Sequence, residues 1–186
     1  YNYLHEMCGI GTFCHEFCHA LGLPDFYDTD KNDNGYCNPL GAFSTMDNGS
    51  YNNEGRTPAC LTAVEREMLG WMTVPELTES RPYTLSGIQD NVAYIIRTSN
   101  PGEYFVLETR AGQGWDKYVP EGLAVYHVDK SSNNIRGKAA SQLWEDNGIN
   151  TVGTHPCCYI VKPGNALSSP TTFPGELYKT SFTPNT

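Results

Sequence analysis

An α+β fold is predicted for this chain of 186 residues, and three observations predict it. A helical spacing of apolar residues runs through the first part of the chain. A second helical pattern follows a long loop rich in Asp, Asn and Gly. Beyond Pro75 the pattern changes to short β-like runs between Gly, Pro and Asn turns. The expected organisation is a helical, loop-rich unit over residues 1–75 and a β-rich portion over 76–186, with the boundary near Pro75–Pro82.

The first helix is expected over residues 5–22. Ile10, Cys14, Phe17 and Leu21 form one apolar stripe, and His15 and His19 project from nearly the opposite side. Gly22 ends the helix and Pro24 prevents its restart. Residues 25–57 form the long loop, a kind that in compact domains usually carries function. A second helix is expected to start at Thr57-Pro58, with Leu61, Val64 and Met68 on one face and Gly70 as its stop. Strands are expected at Tyr83–Leu85, Val92–Thr98, Tyr104–Thr109 and Leu123–Val128, with a further piece at Cys158–Lys162.

Charge and composition exclude several functions. The formal net charge is −9, whereas nucleic acid and anionic lipid both select basic surfaces. No apolar run approaches the roughly 20 residues of a membrane-spanning helix. No P-loop, dinucleotide-binding or nucleophile-elbow pattern occurs. There are seven Cys, so at least one is unpaired if all pairing is within the chain. Cys14 and Cys18 lie side by side one turn apart, a poor geometry for a bond. The chain opens Tyr1-Asn2-Tyr3-Leu4 with a helix close behind, and reads as a piece of a longer protein.

The chemistry is concentrated in His15-Glu16-Phe17-Cys18-His19. Two His four residues apart on a helix point the same way and can reach one metal ion. The Glu between them is angled to take a proton from a water that zinc has acidified. A catalytic zinc needs a third protein ligand and an open position. Gly22 lets the chain turn back, and Asp25 is placed to supply that ligand. Asp28 is its rival. A thermolysin-like arrangement would instead use Glu65 or Glu67 from the second helix. Met46 follows in a tight loop, Phe43-Ser44-Thr45-Met46-Asp47.

On these residues the chain resembles the metzincin zinc proteases, and more narrowly the immune inhibitor A family of secreted bacterial metallopeptidases. The resemblance lies in His15-Glu16-x-x-His19-x-x-Gly22-x-x-Asp25 with its flanks from Gly11 to Thr29, then Met46-Asp47-Asn48-Gly49-Ser50-Tyr51, Arg56-Thr57-Pro58 and Leu69-Gly70-Trp71. Looser likeness extends to Glu103–Glu108 and Tyr126–Asp129. It implies a metzincin-like lower subdomain of two helices, a long loop and a Met turn, with the preceding N-terminal sheet missing. It implies zinc held by His15, His19 and Asp25, Glu16 as general base, and Met46 as an apolar floor. Most metzincins use His as third ligand, so Asp25 suits the narrower group only. Where some metzincins place a Tyr two residues after the Met, this chain has Asn48, leaving Tyr51 as a candidate transition-state contact or a rim residue. The implied activity is hydrolysis of protein or peptide substrates outside the cell, in a secreted, periplasmic or surface protein. The competing reading is a non-catalytic binding or adhesion module, stabilised by zinc or calcium and descended from a protease.

A second metal is a weaker expectation. Asp28, Asp30, Asn32 and Asn34 cluster oxygen ligands, and Asp30, Asn32 and Asn34 before Gly35 echo the first half of a calcium (Ca2+) loop. Gly41 stands where such a loop needs its bidentate Glu, so a solvated polar loop is an equal reading. Asp129 could contribute from the β-rich part. His5, His127 and His155 read as surface or supporting residues, and Cys18 as a packing residue.

Overall fold

The computed structural model describes residues 9–30, 35–163 and 170–174. Three short helices and a four-stranded antiparallel sheet make up its α+β architecture. Helix α1 spans Ile10–Ala20, α2 Ala63–Met68 and α3 Ala140–Glu145. The strands are β1 Ala93–Arg97, β2 Glu103–Arg110, β3 Gly122–Asp129, β4 Asn134–Ile135, β5 Lys138–Ala139 and β6 Cys158–Ile160. The sheet order is β1-β2-β3-β6, and β4 and β5 form a separate hairpin. None of the described helices is long and apolar enough to cross a membrane.

Strand alternation sends side chains to two faces of the sheet. Ile95, Val106, Tyr126, Val128 and Ile160 join one buried cluster with Leu23, Phe26, Leu40, Phe43 and Met46 from the loop-rich part of the chain. Phe105 and Val125 pack on the other face with Phe173. One core therefore runs from beneath α1 across the inner face of the sheet.

Four expectations are corrected. The stripe of α1 does not face the core: Ile10, Phe17 and Leu21 are exposed, as is Phe13, and the helix is buried through Gly11 and Cys18. Small residues let its backbone approach a neighbour closely. The amide of Gly11 donates to the Gly55 carbonyl at 2.7 Å, and a Cβ on Gly11 would stand 1.8 Å from the Ser50 carbonyl oxygen. The second helix starts at Ala63, not Thr57. Its N-cap is Thr62, whose hydroxyl accepts from the Glu65 amide while the Glu65 carboxylate accepts from the Thr62 amide. That reciprocal capping box satisfies two donors at once and outcompetes Thr57 as a start. Tyr83–Leu85 is not a strand, and α3 falls where only β-like pieces were expected. Its short length hides the helical period.

A buried ionic network ties the sheet to the loops. Arg110 reaches Glu108 at 2.6 Å and Asp116 at 2.8 Å, all three fully buried. Arg110 also donates to the carbonyls of Phe43 and Cys60. Glu108 accepts from the Ala63 amide at the start of α2 and from the Tyr126 hydroxyl.

Candidate metal centre

Three side chains converge at the C-terminal half of α1. His15 and His19 bring their Nε2 atoms to 3.1 Å. Asp25 Oδ1 lies 3.2 Å from His15 Nε2 and 3.1 Å from His19 Nε2. Among the described residues these are the only group of three or more His, Cys, Asp or Glu able to share one ion.

Local chain geometry explains the convergence. The helix ends with the Gly22 amide on the His19 carbonyl and the Leu23 amide on the Cys18 carbonyl. Gly22 has φ +105°, a conformation that L side chains rarely adopt, and it reverses the chain. The Leu23 carbonyl then accepts from His19 Nδ1 at 2.8 Å, and Asp25 comes back over the two rings. His15 Nδ1 is held by the Thr45 carbonyl at 2.9 Å. The Met46 carbonyl accepts from the Phe26 amide. Consecutive carbonyls of the tight loop thus fix one His and the segment carrying the carboxylate.

These contacts set the tautomer of each neutral ring. A ring nitrogen facing a carbonyl carries the proton, so each His donates through Nδ1 and, as the neutral imidazole that binds metal, offers its lone pair at Nε2. Asp25 Oδ1 is buried and has no hydrogen-bond donor among the described residues. Three lone pairs therefore face one another at 3.1–3.2 Å, an arrangement stabilised by a cation between them. For metal bonds of about 2.0–2.1 Å, the edge of a tetrahedron is about 3.3 Å. Two imidazoles and one carboxylate are a donor set that zinc accepts, and the separations fit it.

Through His15 the cluster borders a cavity of about 220 Å3, also lined by Thr12, Glu16, Tyr27, Asp47, Asn48, Ser50 and Tyr51. Glu16 is exposed on the cavity wall beside His15. Tyr51 is exposed at its rim. Met46 is fully buried within the core. Tyr27 is a neighbour that the sequence reading missed, although it stands two residues after Asp25. Its ring lies 6.2 Å from that of His15. Burial, then the Asp25 carboxylate beside it, pushes the Tyr27 phenol above its ordinary pKa.

The rivals lie elsewhere. The Asp28 carboxylate is buried and accepts from the amides of Asp30 and Cys37. Glu65 is fully buried in the capping box. Asn32 and Asn34 lie outside the described residues, as does His5. The Asp129 carboxylate accepts from Ser131, Asn133 and His155. Cys14, Cys18, Cys37, Cys60, Cys157 and Cys158 all carry free thiols. Burial, then the Glu65 carboxylate, pushes Cys18 up to about 11, which suits a packing role. A larger cavity, about 660 Å3, lies among Cys37, Pro39, His127 and Tyr159. Its two His each meet a carboxylate, His127 with Glu103 and His155 with Asp129, and among the described residues no cluster of metal donors opens onto it.

A His-Glu-x-x-His helix with a converging carboxylate is the frame of a metallopeptidase site. Residues 1–72 match the family model of the immune inhibitor A peptidase M6 catalytic domain. Immune inhibitor A of Bacillus thuringiensis subsp. alesti is 38% identical over 60 residues. That match covers 31% of this chain and 8% of the relative. No solved structure matches. The resemblance to the immune inhibitor A family read from the sequence is borne out over this first part of the chain.

Proposed function

We propose that this chain carries the catalytic site of a zinc-dependent endopeptidase that hydrolyses peptide bonds in proteins outside the cell. The observation that carries the reading is the convergence of three lone pairs from His15, His19 and Asp25 beside an exposed Glu16. His15, His19 and Asp25 would hold the ion. Zinc, when bound, acidifies water and polarises a carbonyl. Glu16 takes the proton of the attacking water and then donates it to the leaving amine, which needs a carboxylate open to the cavity. Tyr51 and Tyr27 line that cavity and are placed to touch a bound peptide. A metzincin-like lower subdomain, in which Met46 supports the site from the core, accords with the tight loop at residues 44–47.

The competing reading, a binding module without catalysis, gives Glu16 no task. Glu16→Ala separates the two. The variant is expected to retain zinc and to lose casein or peptide hydrolysis by at least a hundredfold, the lower end of what a general base contributes. Wild-type hydrolysis should stop when a chelator is added. Undiminished hydrolysis by purified Glu16→Ala protein overturns the mechanism.

A further inference from the structure

We infer that Asn147 is the positioning residue for the carboxylate of the metal centre, so that the site is completed by the end of α3. The inference rests on the zinc reading above. Asn147 stands 122 residues from Asp25 in sequence and grips it twice. Its Oδ1 accepts from the Asp25 amide at 2.7 Å, and its Nδ2 donates to Asp25 Oδ2 at 3.0 Å. The two bonds fix the amide orientation, because the reverse would set two donors against each other. They also assign the two carboxylate oxygens. Oδ2 is held by Asn147, and Oδ1 is left facing His15 and His19.

The grip belongs to a larger anchor. Asn147 follows the last turn of α3 with φ +54°, a left-handed conformation that Asn tolerates. The amides of Asp146 and Gly148 close that turn on the carbonyls of Gln142 and Leu143. Three residues further on, Asn150 Nδ2 donates to the Phe26 carbonyl at 2.7 Å. Trp144 of α3 packs edge-on to the Phe26 ring at 5.7 Å. The segment from α3 to Asn150 therefore sets where Asp25 and Phe26 sit. A hydrogen-bond partner of this kind orients a ligand and sustains affinity for the ion.

Two variants separate positioning from a structural role. Asn147→Asp keeps the acceptor for the Asp25 amide and tolerates the left-handed backbone, but removes the donor to Oδ2 and faces it with a carboxylate. Asn147→Gly keeps the backbone conformation and removes both bonds. Affinity would be measured by chelator competition with zinc alone. The visible spectrum of the cobalt(II)-loaded chain reports the ligand geometry. Both variants are expected to bind zinc about 10–100-fold more weakly than wild type, with altered cobalt bands. Asn147→Gly, which sets no charge against Asp25, should do so while its metal-free circular dichroism spectrum stays that of wild type. Wild-type affinity and spectrum in Asn147→Asp overturn the assignment while leaving the metal site intact. A wild-type chain that takes up neither zinc nor cobalt overturns both readings.

Discussion

The Ser44 hydroxyl donates to Glu65 at 2.5 Å, and both side chains are fully buried. Ser44 lies in the tight loop that holds His15 and Phe26, and Glu65 lies in the capping box of α2. The Ser44 oxygen also accepts from the Met46 amide. One carboxylate thus joins a helix start to the loop under the proposed metal centre. Both of its oxygens accept, since the Thr62 amide holds the second. Glu65→Gln turns one acceptor into a donor, which the Ser44 hydroxyl can meet only by losing the acceptor for its own proton. The expected cost is about 1–3 kcal/mol in urea unfolding, the cost of one unsatisfied buried group. A variant as stable as wild type would show that the link contributes nothing.

Gly11 seats α1 where a side chain has no room. Its Cβ would stand 1.8 Å from the Ser50 carbonyl oxygen, which is backbone and cannot swing aside. Gly11→Ala should lift the helix away from residues 50–55. The expected loss is about 1–3 kcal/mol, typical of overpacking. Zinc affinity should fall with it, because His15 rides on the same helix. Thermal melts with and without zinc test both parts. An unchanged melting temperature in both would refute the seating argument.

Arg110 is the cation of a buried network that includes two carboxylates. Arg110→Met removes the charge but keeps much of the volume. It strands Glu108 and Asp116 in the core, and breaking a buried pair in this way costs about 3–5 kcal/mol. Equilibrium denaturation measures the loss. A change below about 1 kcal/mol would mean that the carboxylates find other compensation.

Asp25 and Asp28 compete as third ligand in the sequence, and the fold treats them differently. Asp25→Asn should weaken zinc binding by more than the roughly 10–100-fold expected from losing a supporting group. Asp28→Asn should leave zinc binding within a few-fold while lowering stability, since Asp28 accepts from the amides of Asp30 and Cys37. The reverse ranking of the two affinities would move the ligand to Asp28.

How much was legible follows from the range of each signal. The His15-Glu16-x-x-His19 helix, Gly22 and Asp25 lie within eleven residues, and local helix geometry with one glycine-allowed reversal brings them together. The strands near residues 92–98, 104–109, 123–128 and 158–162 were readable because alternation is also local. The capping box of Thr62 and Glu65 is written in the sequence as a Thr-x-x-Glu signal, but Thr57-Pro58 carries a competing start signal five residues earlier. The outward apolar stripe of α1 departs from expectation for a different reason. A helix can pack through small residues, and apolar spacing alone does not say which face is covered.

The sequence by itself determined the donor set of the proposed metal centre, because His15, His19 and Asp25 are close along the chain and share a single helical turn and its reversal. Only the tertiary structure decided what holds them in place. The Thr45 carbonyl orients His15 across 30 residues, and Asn147 grips Asp25 across 122. Such partners leave no periodic or spacing signal. A carbonyl belongs to every residue and an Asn to many, and which of them arrives depends on how the sheet and α3 pack beneath the site.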